Sequence, residues 1–347
     1  MPRLRRADCS GPGIKRKRHG RGFAYYDASG ERITDTELIA RVKALAIPPA
    51  WREVWVCPDA NGHLQAVGTD AAGRKQYIYH EVWRARRDQA KFDHMMDFAA
   101  ALPAMRAVTL EHIQLPGQPF EKTLGLAVRL LDRGFFRIGS EGYAEQNQSY
   151  GLATIQKKHV TIRGDEVIFD YRAKSGQRRV WSTVDPLVLG VISSLKLRRS
   201  GGPDLLAYKD GRVWRDVKSS DINEYVREIS GGDFTAKDFR TWGATVLAAV
   251  GLAASGYAST SATARKRAIA RSVKEVAHYL GNTPAVCRAS YIDPRVFDRY
   301  LSGWTISLES IGEGMAFGDL STQGPIEEAV VDLIEDRRTS PALEKIA

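Results

Sequence analysis

The 347-residue chain carries 51 Lys and Arg against 41 Asp and Glu, a formal charge of +10, with 43% hydrophobic residues and a mean hydropathy of -0.32, values that suit a globular protein of about two domains at ~150 residues each. The longest apolar run, Val246 to Ala254, is broken by Gly251 and far too short for a bilayer, and the basic N-terminus lacks the apolar stretch of a secretory signal, so no membrane span and a cytoplasmic location are expected. Three widely spaced cysteines (Cys9, Cys57, Cys287) and 7 scattered histidines without an HExxH pattern argue against a disulfide framework or a metal site, so metal-independent chemistry is expected.

In chain order, residues 1–22 hold eight Arg and Lys against Asp8, with glycines interleaved, and predict a basic arm that stays mobile until bound. From Gly22 to His80 the segments FAYYD, EVWVCPD, HLQAVGTD and RKQYIYH alternate apolar and polar residues between turn dipeptides such as Ser29-Gly30, Asn61-Gly62 and Ala72-Gly73. They predict a small antiparallel sheet. A helix over 35–46 interrupts it, with Leu38, Ile39, Val42 and Leu45 on one face. The segment WRARRDQAKFD reads as a connection between two lobes, which places a boundary near residue 90 and gives domains 1–90 and 91–347. Beyond it helices dominate, the clearest from Phe120 to Arg133 before Gly134. Residues 159–183 alternate around Gly164-Asp165 and Ser175-Gly176 and predict a three-stranded meander with Lys174 at its second turn. The fold class is therefore α+β: a small N-terminal β lobe with helices, and a larger mainly helical lobe containing the meander. Residues 304–347 form an acidic tail, nine acidic against three basic residues, which either competes with a polyanion for the basic body or, the favoured reading, is a disordered solubilising end.

With that tail at net -6, residues 1–303 carry +16, a balance that suggests a polyanionic partner. Within the helical region Arg137 (GFFRIGSEGY) and Arg240 (FTAKDFRTWGAT) are cations in apolar settings. Two planar guanidinium forks converging on one phosphate could stabilise a pentacoordinate transition state; the bland alternative pairs them with Asp132 and Asp238. Tyr291, in CRASYIDP, lies ten residues after the helix-ending Gly281; a phenol is a weak nucleophile that needs cationic or hydrogen-bonding neighbours, and alone it reads as a packing residue. Lys174 alone reads as a solvated turn lysine.

Taken together and in order, FRIG, YRAKSG, KDFRTWGAT and LGNTPAVCRASYIDP resemble the catalytic domain of type IB DNA topoisomerases, especially the compact poxvirus and bacterial members. The front segments PGIKRKRHGRGFAYYDASGERITD and GTDAAGRKQYIYH are similar to that family's bacterial opening and DNA-contacting strand, so the likeness spans residues 12–300. It implies that Tyr291 attacks the scissile phosphodiester to give a 3′-phosphotyrosyl link, that Arg137 and Arg240 bind the nonbridging oxygens, and that Lys174 is the general acid for the departing 5′-oxygen. The family usually carries His nine residues before the tyrosine; Asn282 stands there, which implies hydrogen bonding without proton donation. The resemblance also implies DNA contacts by Arg74, Lys75, Gln76, Tyr77 and Tyr79 on a major-groove strand, by Tyr143 and Lys237 near the cleavage site, and by Lys157, Lys158 and His159 along the backbone. It further implies relaxation of both supercoil signs by a nucleoid-associated, clamp-shaped monomer acting on double-stranded DNA, with no metal, nucleotide or other cofactor; the chain has no GxxxxGK[ST] loop.

Two rivals are weighed. Tyrosine recombinases share the nucleophile, arginines and lysine, but usually place His where Lys237 precedes Arg240. A non-catalytic architectural DNA binder would account for the basic body without accounting for the ordered set.

Overall fold

The structure, a computed structural model, describes residues 3–256, 261–309 and 323–346. It divides into two compact units, Met1–Lys91 and Phe92–Ala347.

The first unit is built on strands β1 (Ile14–His19), β2 (Gly22–Tyr26), β3 (Arg52–Val56), β4 (Leu64–Thr69) and β5 (Lys75–Tyr79), with helix α1 (Thr36–Ala44) between β2 and β3. The strands form one antiparallel sheet in the order β2-β1-β3-β4-β5. Asp35 caps α1 by accepting from the amides of Glu37 and Leu38, and Val42 joins Ile14, Tyr25, Val54, Val56 and Ala66 in a small core. The basic arm expected over 1–22 is corrected here: β1 spans its second half, and Arg5 bridges to Gly62; residues 1–2 lie outside the described residues. A strand needs only alternate residues inward, so IKRKRH can bury Ile14 while its lysines face water. Arg16 anchors the strand by donating to the carbonyls of Ile47 (3.0 Å), Pro48 (3.0 Å) and Trp51 (2.8 Å) and by lying over the Phe23 ring.

WRARRDQAKFD, the helix-friendly segment expected to connect two lobes, contains the division between the two units at Lys91. It lies inside α2 (Glu81–Ile113), because no Gly or Pro interrupts the chain before Pro103, and the helix goes on to bury Phe92, Met95, Phe98, Leu102 and Met105. The second unit continues through α3 (Phe120–Gly134), α4 (Glu141–Asn147), the antiparallel meander β6 (Val160–Arg163), β7 (Glu166–Arg172) and β8 (Arg178–Val184), and α5 (Pro186–Leu197). A hairpin of β9 (Ala207–Asp210) and β10 (Val213–Asp216) follows, then α6 (Ser219–Ser230), α7 (Ala236–Ala253), α8 (Ala262–Leu280), α9 (Pro284–Ser290) and α10 (Pro294–Leu301). The helix expected to stop at Gly134 extends through it; Phe135 supplies the left-handed turn, with φ 53°.

The acidic tail is the largest correction. Strands β11 (Trp304–Ile306) and β12 (Leu343–Lys345) pair with each other, and α11 (Pro325–Ile334) buries Ile326, Ala329, Val330, Leu333 and Ile334 in the core of the second unit. Its acids are used locally. Glu327 pairs with Arg106 (2.5 Å) and accepts from the Trp242 indole (2.7 Å), while Asp332 takes Arg337 (3.0 Å). Burial opposes the charge on Arg106, but Glu327 and Asp132 outweigh it and hold the guanidinium above its ordinary value. Part of the tail, residues 310–322 and 347, lies outside the described residues.

Candidate active site

Helix α8 ends in a Schellman turn: Gly281 adopts φ 62°, its amide donates to the His278 carbonyl (3.1 Å), and the Asn282 amide donates to Ala277 (2.9 Å). Arginines from three separate elements donate to carbonyls at this end of the helix, Arg179 sharing the His278 carbonyl with the Gly281 amide. Arg240, on α7, donates to Leu280 (3.0 Å) and to the Phe135 carbonyl. Arg137, in the segment after α3, donates to Gly281 (2.7 Å) and to Oδ1 of Asn282. Arg179, on β8, donates to His278 (3.3 Å). A helix C-terminus carries partial negative charge, so it is a suitable place to gather cations.

Each partner is positioned by its own local chemistry. Arg137 sits where two glycine backbones touch: a Cβ on Gly151 would fall 2.4 Å from the Gly139 nitrogen and 2.7 Å from the Arg137 carbonyl oxygen. The amides of Leu152 and Ala153 then pair with the carbonyls of Arg137 and Ile138, both at 2.8 Å. Arg240 lies one turn into α7, whose start is capped reciprocally by Thr235 and Asp238. Asp238 is thereby occupied, and Asp132 pairs with Arg106, so neither acid neutralises Arg240 or Arg137 as the bland reading required. The Phe135 ring packs on the bare Cα of Gly243, where a Cβ would lie 2.6 Å from the ring. Tyr291 closes α9: its amide donates to Cys287 (2.9 Å), and its carbonyl accepts from Thr245 Oγ1 (3.3 Å). The Tyr291 ring centre is 5.2 Å from Cζ of Arg240.

Among the described residues no carboxylate pairs with Arg137, Arg179 or Arg240. Arg240 is only 3% exposed. Burial draws its pKa down to about 10, with Tyr291 acting in the opposite direction and Arg137 and Arg179 adding to the fall, and it stays cationic at neutral pH. Arg179 is lowered by burial and by Arg137, and burial raises the phenol of its cross-strand partner Tyr171. Among the described residues two buried donors here, Arg240 Nε and Asn282 Nδ2, have no acceptor of good hydrogen-bond geometry. Arg137 and Arg179 are half-buried, but a buried cation such as Arg240 with an unused donor is costly unless an anion completes it. The arrangement can therefore bind an oxyanion beside a phenol. Cys287 is not a rival nucleophile; burial pushes its thiol up to about 11.

The structure brings together Arg137, Arg240, Asn282 and Tyr291. Lys174 is not among them: it is exposed at the β7–β8 tip, in a turn where Ser175 (φ 64°) and Gly176 (φ 73°) are left-handed. Lys237 is exposed on the first turn of α7, and Tyr143 is exposed on α4. In the first unit Lys75, Tyr77 and Tyr79 share the exposed face of β5, with the tyrosine rings stacked 6.2 Å apart. Arg74 and Gln76 are instead engaged by Asp70, whose carboxyl is held down at about 2 by bonds from the Arg74 amide and side chain first and then Gln76. Lys157, Lys158 and His159 form a short 3-10 turn; Lys158 is exposed, and His159 lies 4.4 Å from the Tyr150 ring with its pKa lowered by burial. Arg179 was missed in the sequence. Its signal is register: alternation with Trp181 on β8 turns it inward, level with Tyr171.

Among the described residues no group of His, Cys, Asp and Glu is arranged to hold a metal, and no helix is long and apolar enough to cross a membrane. Residues 80–302 match the family model for the eukaryotic DNA topoisomerase I catalytic core, and residues 22–70 match that for the bacterial DNA topoisomerase IB N-terminal domain. DNA topoisomerase 1B of Acanthamoeba polyphaga mimivirus is 34% identical over 289 residues, 81% of this chain and 85% of the relative. DNA topoisomerase 1B of Vaccinia virus (strain Copenhagen) is 22% identical over 72% of this chain and 75% of its own, and DNA topoisomerase 1 of Rabbit fibroma virus (strain Kasza) is 22% identical over 80% and 89%. By the breadth of these matches, across both compact units, the chain belongs to the type IB DNA topoisomerases, a family of enzymes.

Proposed function

We propose that this enzyme relaxes positively and negatively supercoiled duplex DNA by cutting one strand through Tyr291, letting the DNA rotate, and resealing it. The observation that carries the reading is the guanidinium cluster without a carboxylate, beside the Tyr291 ring and two unused buried donors. A phosphodiester would supply the missing acceptors. The Tyr291 oxygen attacks phosphorus, the bond to the 5′-oxygen breaks, and a 3′-phosphotyrosyl link and a free 5′-hydroxyl result. Arg137, Arg240 and the Asn282 amide stabilise the charge on the nonbridging oxygens, each such donor contributing ~10²–10³-fold in rate. Lys174 gives its proton to the leaving 5′-oxygen; its exposed amine on a two-residue left-handed tip leaves it free to reach DNA. Religation reverses these steps. The transesterification conserves the phosphodiester's energy, so nucleotide is not consumed, and guanidinium charge does the work a metal would otherwise do.

Tyr77 and Tyr79 on β5, Tyr143, Lys237 and the Lys157–His159 turn are proposed DNA contacts, acting from a monomer of the family's bacterial branch in the nucleoid; the 22–70 match supports that branch. Arg74, Lys75 and Gln76 complete the β5 contact, Arg74 and Gln76 exchanging Asp70 for DNA. The test is plasmid relaxation in EDTA without ATP, beside Tyr291→Phe. Relaxation of both signs by the parent and none by the variant is expected; equal relaxation by the variant would remove Tyr291 from the reaction.

A further inference from the structure

We infer that Arg179 is a third phosphate-binding side chain of the proposed cleavage site, donating to a nonbridging oxygen of the DNA backbone in place of its present bond to the His278 carbonyl. The inference rests on the reading of the Arg137 and Arg240 cluster given above.

Arg179 occupies the inward face of β8, the face that also carries Trp181 and, across the register, the buried Tyr171. Arg179 is half-buried there, and the desolvated part of its charge is unfavourable unless something compensates it. Its partners are poor compensation: a neutral carbonyl at 3.3 Å and the phenol of Tyr171, with Arg137 close enough to repel it. The neighbouring Arg178 shows how this strand satisfies an arginine when no ligand is needed. It turns outward and forms a two-point pair with Asp170, Nε to Oδ1 at 2.8 Å.

Position supports the same assignment. A Cβ built on Gly281 would lie 3.4 Å from Arg179 Nη1 and 3.7 Å from Arg137 Nη1, so both guanidiniums border the same bare glycine at the end of α8. An anion held by Arg137 there is within reach of Arg179. A guanidinium fork exchanges a single carbonyl for phosphate oxygens readily, because a phosphate offers an opposite charge and two acceptors that match the fork. The oxygen contacted belongs either to the scissile phosphodiester or to an adjacent one, and the chemistry is the same for both.

The experiment compares single-turnover cleavage by the full chain, Arg179→Ala and Arg179→Lys on duplexes that are fully phosphodiester, or carry a neutral methylphosphonate at the scissile or a flanking position. Equilibrium binding on the same duplexes in the Tyr291→Phe background gives a second readout. On fully charged DNA the alanine variant is expected to lose roughly 10- to 100-fold, the range for a charge-assisted hydrogen bond, and the lysine variant less. That loss should shrink to near unity on the one duplex neutralised where Arg179 binds, which also identifies the phosphate. A loss of the same size on every duplex would overturn the proposal, because it marks Arg179 as a latch between β8 and α8; so would a loss below twofold on charged DNA. Should Arg179→Ala fail to fold by circular dichroism, the lysine variant carries the same comparison. A parent chain that forms no covalent adduct on charged DNA would fail the cleavage reading itself, a different result from a parent that reacts and a variant that matches it.

Discussion

The Asn282 side chain is oriented by Arg137, which donates to its Oδ1; among the described residues Nδ2 is left as a buried donor with no partner. An amide can give that hydrogen bond to a phosphate oxygen and nothing more. Asn282→Ala is therefore expected to slow cleavage roughly 100-fold, the lower end for one oxyanion donor, and Asn282→His, which keeps a donor, should retain most of the rate. Asn282→Asp should be slower than Asn282→Ala, since a carboxylate would pair with Arg137 and repel the phosphate; single-turnover rates of the three variants check the order, and an aspartate variant as fast as the parent would contradict it. At this scale Arg137, Arg240 and Tyr291 were legible because arginines in apolar runs and an ordered set of motifs are visible in the chain. Arg179 was not, because period-2 register on β8 matters only once Tyr171 and the end of α8 are known to face it.

Elements were legible where periodicity carried them and misread where composition was averaged. The strands over 22–80, α1, α3 and the meander follow their apolar spacing. The basic arm and acidic tail were judged by charge density, yet β1 needs one buried isoleucine, and PIEEAVVDLI places Ile326, Ala329, Val330, Leu333 and Ile334 on one helical face. Ending the chain at Gly303 should thus cost on the order of 5 kcal/mol by removing those side chains from the core, lowering the melting temperature well before any change in DNA affinity is read. An unchanged melting curve would mean that α11 does not belong to the core. Asp185 offers a second test. Buried at the start of α5, it opposes its own desolvation with bonds from Arg129 and Arg133, both at 2.7 Å, and the net effect holds its carboxyl below 3.8. A depressed folded pKa gives stability that is present above 3.8 and lost as pH falls through the folded value. Asp185→Asn should be less stable at neutral pH and flatter in acid; matching acid-unfolding profiles for the two proteins would contradict this.

At the scale of the whole molecule, charge is the property that sequence displayed best and located worst. Within residues 304–347 Asp332 and Asp336 pair with Arg337 and Arg338, cations already counted in the net -6, while Glu327 reaches Arg106 in the rest of the chain. The +16 of residues 1–303 still exceeds that -6 and leaves a net +10 to act on a polyanion. DNA affinity should fall steeply with salt, with a log-log slope near -0.9 for each phosphate neutralised, and Arg179→Ala should flatten that slope by about one contact. The α+β class was readable from the order of strand-like and helix-like segments. The convergence of three arginines on the last turn of α8 was not, since it joins residues separated by as many as 144 positions.

The account stands most directly on a covalent bond. Incubating the full chain with a nicked suicide duplex, denaturing in SDS and mapping the adduct by mass spectrometry should return a peptide in which Tyr291 carries the 3′-phosphate of the cut strand, and Arg137→Ala and Arg240→Ala should form it far more slowly. An adduct on another residue, or none from a folded chain that binds the duplex, would contradict the central claim.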